Sequence, residues 1–272
     1  MNYRHSFHAG NFADIVKHAL LLWLLERRQA DGPVLVLDTH AGAGLYDLTG
    51  DAVRSREAEA GIARLMAAAD RPPLIEALAG AVAALNSGAG VRLYPGSPVL
   101  VARRLRGEDR YLGFELNPPV LDLLGEALAP YPQAGARAGD GYDQASAAAR
   151  QTPAPLVLID PPFEQADDYA RAAHAAADIV RADPQAVVAV WTPLKDLETF
   201  DAFLRGLAGA GVSRALVAEA RLRPLANPMK MNGCAMVVLN PPDGSEAAAR
   251  EICDWVARTL GDEGARAEVW RT

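Results

Sequence analysis

The sequence predicts an α/β protein built on a mostly parallel, seven-stranded sheet. Largely apolar runs at 34–37, 111–114 and 156–159 have the composition of strands that are buried on both faces. An acid follows each run at once, and helical patterns separate the runs. Because the carboxyl ends of parallel strands meet at one edge of a sheet, where open α/β sheets bind ligands, we expect the functional groups at that edge.

Composition narrows the class of protein. The chain has 272 residues, half of them hydrophobic, which suits one large α/β domain with an insertion or two small domains. Its net charge of −7 means that any contact with nucleic acid needs a local basic patch. Cys234 and Cys253 are too few for a disulfide framework or a zinc site, and indicate buried thiols in a reducing cytoplasm. We expect a cytoplasmic monomer with no metal and no membrane partner.

The first ten residues lack a helical pattern but concentrate aromatic rings and cationic groups. These residues are Tyr3, Arg4, His5, Phe7 and His8. Two interpretations stay open from the pattern alone: an arm that its rings fix to the body of the protein, or an arm that contacts a substrate.

A helix is predicted over 11–30. Asn11 suits its N-cap, and apolar residues recur at helical spacing. That apolar face consists of Ile15, Ala19, Leu22 and Leu25. Lys17 and His18 lie off this face, so we expect Lys17 at the solvated surface.

The strand at 34–37 leads through Asp38 into Thr39-His40-Ala41-Gly42-Ala43-Gly44. Glycines let a backbone turn tightly and approach a ligand closely. A strand, an acid and Gly-x-Gly together are typical of a nucleotide-binding loop, although the third glycine of the dinucleotide fingerprint is missing. A nucleotide-type loop is therefore predicted, and an NAD-dependent oxidoreductase remains a disfavoured alternative.

Residues 46–95 interrupt the alternation of strands and helices. They contain two alanine-rich helical patterns with no strand pattern between them. We predict an inserted helical subdomain at 46–95 above the carboxyl edge of the sheet. The main domain would then comprise 1–45 and 96–272, with 1–10 as its arm.

The remaining chain resumes the alternation. Ser97 and Pro98 open a predicted helix that carries Arg103, Arg104 and Arg106. A short strand ends near Asp140. If the ligand of the predicted nucleotide-type loop carries an adenine, its amino group would need an acceptor at this place. Further strands are predicted at 186–191, 214–220 and 234–239, and helices at 195–210 and 245–260. The loop at 221–233 contains Arg221, Arg223 and Lys230.

The most informative motif is Asp160-Pro161-Pro162-Phe163 at the end of a predicted strand. It combines a carboxylate acceptor, a stiff turn with free carbonyls and a ring for stacking, which suits a flat heterocycle with an exocyclic amine. Two other double prolines, after Asn117 and Asn240, lack the ring. The motif resembles motif IV of the amino-methyltransferases, which methylate adenine N6, cytosine N4 or glutamine N5.

The chain as a whole resembles one family. The motifs concerned are the stretch from Tyr3 to Asn11, Asp14 with Lys17-His18, the loop at 38–44, Tyr94-Pro95-Gly96-Ser97-Pro98 and the Asp160 motif. They are similar to those of the bacterial 23S ribosomal RNA adenine-N6 methyltransferases of the RlmJ type. The similarity continues through Met231-Asn232-Gly233, and so covers nearly the whole chain. Phe163 stands where relatives often have tyrosine.

This resemblance implies a class I S-adenosylmethionine-dependent methyltransferase fold, which is Rossmann-like, and 23S ribosomal RNA as the partner. It implies that S-adenosylmethionine contacts His18, His40, Ser97, Glu115, Asp140 and Gly141. It also implies that Asp160 is the catalytic acceptor, that Tyr3 meets the RNA, and that His5 and Lys17 matter for activity. Phe163 would stack on the target base.

Three alternatives to this function remain. A DNA adenine or protein glutamine methyltransferase would use the same double-proline motif. An oxidoreductase would use the Gly42 and Gly44 loop for NAD. A non-catalytic factor would bind RNA without turnover.

Overall fold

The computed structural model describes residues 7–49, 56–88, 90–165, 167–225 and 231–272. Its strands are β1 (Leu35–Asp38), β2 (Leu45–Asp47), β3 (Leu93–Pro95), β4 (Arg110–Glu115), β5 (Ala134–Ala138), β6 (Leu156–Ile159), β7 (Val187–Leu194), β8 (Ala215–Arg221), β9 (Gly233–Leu239) and β10 (Arg266–Arg271). Its helices are α1 (Phe12–Ala30), α2 (Arg64–Ala67), α3 (Pro73–Ala83), α4 (Ser97–Ala102), α5 (Pro118–Leu128), α6 (Gly141–Ala149), α7 (Asp168–Ala182), α8 (Leu197–Gly209) and α9 (Ser245–Leu260), and a π-helical segment, Glu59–Ala63, leads into α2.

Eight strands form one sheet in the order β10-β8-β9-β7-β6-β1-β4-β5. Strands β1, β4, β5, β6 and β7 run parallel, whereas β9 is antiparallel to β7 and β8, and β10 to β8. The predicted α/β class and mostly parallel sheet are confirmed. The sheet has one strand more than the seven predicted, because β10 is an edge strand whose charged outer residues hide the apolar alternation.

Helices cover both faces of this sheet. One face packs against α1, α4, α5 and α9, and the other against α6, α7 and α8. The strands between these layers are almost wholly apolar, as in β6, where all four residues are buried. This burial on two faces explains why the central strands are continuous apolar runs in the sequence.

Helix α1 begins where the sequence predicts. The side chain of Asn11 caps it by accepting hydrogen bonds from the backbone N–H groups of Ala13 and Asp14 at 2.9 and 3.0 Å. The expectation of a solvated Lys17 is wrong, however, since Lys17 is only 4% exposed. His18, off the same apolar face, is also buried. Lys17 is buried because it lies against Asp160 at the end of β6, and helix α3 and the π-helical segment also pack on α1.

The described part of 46–95 contains helices and a small hairpin. Strands β2 and β3 pair antiparallel at its base, and neither 56–88 nor 90–95 adds a strand to the main sheet. Ile62, Leu65 and Ile75 belong to the same buried cluster as the apolar residues of α1. The division into a main domain and an inserted subdomain stays a prediction, because one continuous core joins the two parts.

Both cysteines are buried free thiols, as expected. Among the described residues, no helix combines the length and the apolar character that crossing a bilayer requires.

Candidate active site

Four acids stand at the carboxyl edge of the parallel strands. Asp38 ends β1, Glu115 ends β4, and Asp140 and Asp160 follow β5 and β6. The sheet order places them as Asp140, Glu115, Asp38 and Asp160 along this edge. The fold thus brings together residues that are more than a hundred positions apart in the chain.

Asp160 is part of a buried charge cluster with α1. Nζ of Lys17 donates to Oδ2 of Asp160 at 2.6 Å and lies 2.8 Å from Oδ1 of Asp14. The side chains of Lys17 and Asp160 are 5% and 13% exposed. Burial opposes the charge on Lys17, but the two carboxylates outweigh it and raise the pKa of its ammonium group well above the usual value. Lys17 is therefore a fixed cation that holds one oxygen of Asp160.

A cavity of about 650 Å³ opens beside this cluster. Asp160 and Lys17 line it together with Phe163, Trp191 and Lys195. The Phe163 ring is 7% exposed, and its centre lies 5.9 Å from that of Trp191. The cavity therefore combines a carboxylate with an aromatic wall, and Trp191 is a member of that wall that the sequence motifs did not reveal.

The backbone of the turn after β6 is strained at Phe163. Phe163 has a φ of 50°, a left-handed conformation that is rare for a bulky side chain. Tyr169 supports the ring at 4.4 Å between centres. The two prolines before it and the packing behind it hold Phe163 in this conformation, in the wall of the cavity.

Asp38 forms a second polar centre, under the glycine loop. Its Oδ2 accepts hydrogen bonds from Ser97 at 2.6 Å and from the Tyr111 hydroxyl at 3.0 Å. Its Oδ1 is buried with no hydrogen-bond partner among the described residues. Burial raises the pKa of Asp38 to about 6, against the lowering effect of the bond from Ser97. An unpaired acceptor of this kind suits a ligand that brings a donor.

Glu115 fixes the glycine loop. Its Oε2 accepts a hydrogen bond from the Gly42 N–H at 3.2 Å, and its Oε1 accepts one from the Asn117 N–H at 2.9 Å. Gly42 has a φ of +64°, and a Cβ there would lie 2.3 Å from the Tyr46 hydroxyl. Only glycine fits this position, because a side chain there would collide with Tyr46 and the backbone is in the left-handed region.

Asp140 caps α6 and pairs with a cation that the sequence analysis did not single out. Oδ1 of Asp140 accepts from the Tyr142 N–H at 3.1 Å, and Oδ2 accepts from Arg171 at 2.5 Å. Burial would raise the pKa of Asp140, but Arg171 outweighs it and holds the pKa below the usual value. Both oxygens already have a partner, so a ligand amine at Asp140 would share or displace Arg171.

Two further predicted contacts lie against this end of the edge. A Cβ on Gly141 would lie 1.7 Å from the Thr39 carbonyl oxygen, so the loop and α6 touch at their backbones. Nδ1 of His40 lies 2.7 Å from the Thr39 hydroxyl, and burial lowers the pKa of His40 to about 4. His40 is therefore neutral at pH 7.

His18 is 1% exposed, and its Nδ1 lies 2.7 Å from the Tyr94 hydroxyl. Its Nε2 lies 4.0 Å from Asp14. The structure thus joins His18 to the charge cluster of α1 and to the hairpin at the base of the insertion.

The predicted substrate contacts Tyr3 and His5 lie outside the described residues. The base of the arm is described, and it lies at the cavity. Nδ1 of His8 donates to Glu57 at 2.9 Å, and the Asn11 side chain donates to the same carboxylate at 3.0 Å. The hydrogen bond to Glu57 raises the pKa of His8.

Several basic residues proposed from the sequence differ from expectation. Arg221 lies in β8 and not in a loop, and it is buried against Glu219 at 2.5 Å, so it offers no surface charge. Helix α4 ends at Ala102, so Arg103, Arg104 and Arg106, which were predicted to lie on it, all lie beyond it. Arg223 pairs with Asp262 at 3.0 Å, and Lys230 is outside the described residues.

The carboxyl edge offers acceptor groups for a polar cofactor. Glu115 lies against the Gly42 backbone, and Oδ1 of Asp38 has no hydrogen-bond partner in the part of the chain that the structure describes. Within the described ranges, no group of three or more histidines, cysteines or acids has the geometry to hold a metal ion.

Comparisons with known proteins agree with this arrangement. A model of the family described as Ribosomal RNA large subunit methyltransferase D, RlmJ, matches residues 31–272. The chain is 33% identical over 269 residues to Ribosomal RNA large subunit methyltransferase J of Escherichia coli (strain K12), covering 97% of this chain and 95% of that protein. The Haemophilus influenzae protein of the same name is 33% identical over 268 residues, with the same coverage.

A solved structure extends the agreement to three dimensions. The crystal structure of a Legionella pneumophila protein superposes with a TM-score of 0.87 and 25% identity, covering 97% of this chain and 98% of that chain. The fold and the sequence therefore lead to the same conclusion. This chain belongs to the RlmJ family of ribosomal RNA large subunit methyltransferases.

Proposed function

We propose that the protein methylates N6 of a specific adenine in 23S ribosomal RNA, with S-adenosylmethionine as the methyl donor. The observation that carries the proposal is the Asp160 carboxylate in the cavity wall, with its Oδ2 held by Lys17 at 2.6 Å and Phe163 beside it. One oxygen of this carboxylate is engaged, and the other is available for a substrate amine.

S-adenosylmethionine supplies an electrophilic methyl group on a sulfonium sulfur. In the proposed complex, Glu115 binds the ribose hydroxyls, and the unpaired oxygen of Asp38 accepts from the ammonium group. His18, His40, Ser97, Asp140 and Gly141 complete the proposed cofactor contacts. Support comes from the positions of His40 and Asp140 after β1 and β5, from the hydrogen bond of Ser97 to Asp38 and from the close approach of Gly141 to the loop that starts at Thr39.

Adenine N6 is a poor nucleophile, because its lone pair is delocalised into the ring. Asp160 would accept a hydrogen bond from one N6–H group, and the Pro161 carbonyl would accept one from the other. These two hydrogen bonds favour a pyramidal nitrogen. Phe163 would hold the base by stacking. These groups act by positioning and by stabilising the positive charge that develops on N6, so they are preorganised for the transition state.

The base must be unpaired or flipped out to reach Asp160, whose side chain is only 13% exposed. The RNA supplies strong charge attraction, so local cations suffice in a protein with a net charge of −7. Lys195 at the cavity and the proposed contacts Tyr3, His5 and Lys17 would form the substrate side. Because Lys17 is buried, we propose that it holds the acceptor Asp160 and does not contact an RNA phosphate.

The function is tested with methyl-labelled S-adenosylmethionine and four candidate acceptors. These are 23S ribosomal RNA from an Escherichia coli strain that lacks methyltransferase J, the same RNA from the parent strain, duplex DNA and a release factor. Label in the first RNA alone, recovered as N6-methyladenosine, is the expected result. Label only in DNA or in glutamine of the release factor would overturn the RNA assignment.

A thermal-shift comparison addresses the oxidoreductase alternative. S-adenosylhomocysteine should raise the melting temperature and NAD should not, because the loop lacks the third glycine that dinucleotide binding uses. A shift with NAD alone would refute the proposed cofactor. RNA binding without any turnover would favour a non-catalytic factor.

A further inference from the structure

We propose that Asp14 is a positioning residue for methyl transfer: it holds the Lys17 ammonium against Asp160 and anchors the base of the N-terminal arm at Gly10. This inference rests on the proposed function, since it takes Asp160 as the acceptor of the adenine amino group. Asp14 acts through Lys17, and the sequence motifs assign it no role of its own.

The geometry gives each oxygen of Asp14 its own contact. Oδ1 lies 2.8 Å from Nζ of Lys17, and Oδ2 accepts a hydrogen bond from the Gly10 N–H at 2.8 Å. Asp14 is 3% exposed, so both contacts are made away from water, where electrostatic interactions are strong. A single buried carboxylate therefore connects the arm to the charge cluster of the acceptor.

The base of the arm is fixed on both sides of Gly10. Its N–H donates to Asp14, and its carbonyl accepts a hydrogen bond from the Ile62 N–H at 2.8 Å. Gly10 has a φ of +80°, and a Cβ there would lie 2.8 Å from the Ile62 side chain. The described base of the arm, residues 7–10, is thus fixed to α1 and to the π-helical segment.

Charge gives Asp14 a second effect on the acceptor. The ammonium of Lys17 and the carboxylates of Asp14 and Asp160 together carry one net negative charge. N6 of adenine becomes more positive as it bonds to the methyl group, so a net negative cluster stabilises the transition state. Without the charge of Asp14, the ammonium of Lys17 would neutralise Asp160 alone, and this stabilisation would be lost.

A purely structural role makes a different prediction. An acid in the first turn of a helix interacts favourably with the helix dipole. Its loss would then lower the melting temperature and leave the rate per folded molecule unchanged. The two roles therefore predict different rate constants for RNA methylation by variants of Asp14.

The first experiment compares Asp14→Asn, Asp14→Glu and Glu246→Gln in single-turnover methylation of the RNA. Rates are normalised to the sites titrated with S-adenosylhomocysteine, so unfolded protein does not count. Asp14→Asn should lower the rate roughly ten- to a hundredfold, as expected for a preorganised charge, and should leave cofactor affinity unchanged. Asp14→Glu keeps the charge and should recover much of the rate.

Glu246→Gln is the matched control. It removes a first-turn acid from α9, at the opposite edge of the sheet, where the side chain is 46% exposed. Its rate should equal that of the wild type. An unchanged rate in Asp14→Asn, with or without a lower melting temperature, would overturn the proposal.

A mutant cycle with Lys17→Met tests the route of the effect. If Asp14 acts through Lys17, the double variant should be no slower than Lys17→Met alone. The double variant removes a buried pair together, so this comparison remains available even if Asp14→Asn folds poorly. A double variant that is tenfold slower than Lys17→Met would contradict the proposal. A wild-type protein that methylates no RNA would instead refute the proposed function.

Discussion

Two carboxylates at the same sheet edge each have a cation as partner, but the two pairs differ in burial. Lys17 and Asp160 are joined at 2.6 Å, with side chains 5% and 13% exposed. Arg171 and Asp140 are joined at 2.5 Å, with side chains 38% and 34% exposed. The first pair lies at the cavity with His8 and Glu57, and the second lies near the other end of the row of acids, after β5.

This difference in burial gives the two ion pairs different properties. A buried pair cannot lose a partner cheaply, so Lys17 sets the position and the charge of Asp160 permanently. A half-exposed pair is screened by water and is worth little, so a ligand can displace Arg171 from Asp140. One end of the edge is therefore rigid, as a proposed acceptor requires, and the other can rearrange around a cofactor.

The largest expected effect is on stability, in Lys17→Met. It leaves the buried carboxylates of Asp14 and Asp160 without their cation, which should lower the free energy of unfolding by about 3–5 kcal/mol. Urea denaturation monitored by circular dichroism measures this change. A loss below about 1 kcal/mol would mean that the buried pair behaves like a surface pair.

Asp160→Ala tests the rigid end in catalysis. It should lower kcat by about a hundredfold or more, as for the loss of a preorganised transition-state group. Affinity for S-adenosylhomocysteine, measured by calorimetry, should be nearly unchanged, because the proposed partner of Asp160 is the target base and not the cofactor. Wild-type turnover in this variant would refute the assignment of the acceptor.

Asp38 lies between the two ends and allows a test by pH. Burial raises its pKa to about 6 in the folded protein from the usual 3.8. The folded state therefore keeps this proton more tightly, and the stability gained from it is full below pH 4 and is lost as the pH rises through 6. The asparagine of Asp38→Asn does not titrate, so this variant is the reference for the measurement.

Relative to Asp38→Asn, the wild type should thus lose about 1–3 kcal/mol of stability between pH 4 and pH 7. Denaturation of both proteins across this range, without cofactor, measures the difference. If the stability of the two proteins changes with pH in the same way, the pKa of Asp38 is not raised in the folded state.

The smallest effect is expected for Arg171→Met. The half-exposed pair with Asp140 should contribute less than about 1 kcal/mol to the free energy of unfolding. Affinity for S-adenosylhomocysteine should not fall, because Asp140 then has an oxygen free for the ligand. A severe loss of stability or of affinity would remove the distinction between the two pairs.

Much of the sheet edge was predictable from local patterns. Each strand that ends in an acid is a run of apolar residues, and a strand buried on both faces can hardly have another composition. The cap of α1 at Asn11 and the turn after Asp160 depend on residues next to each other in the chain. For the same reason, the Asp-Pro-Pro-Phe motif was identifiable without any structure.

The environment of Lys17 was not predictable in this way. Helical periodicity identifies an apolar face of α1, but it cannot show that Lys17, which lies off that face, meets Asp160 at the end of β6. Arg221 was misjudged for a related reason, since Glu219, its partner in the same strand, makes burial of the guanidinium tolerable. Strand β10 was missed because an edge strand has a charged outer face.

The sequence by itself determined the α/β class, the acids at the strand ends and the position of the Asp-Pro-Pro-Phe motif after a strand, because those features depend on neighbours in the chain. Only the tertiary structure decided which of these acids is paired with a buried cation, which oxygen of Asp38 is left unpaired, and that Trp191 lies in the wall of the cavity. Burial and charge pairing are made between residues that lie far apart in the chain, such as Lys17 and Asp160, and local patterns do not contain them.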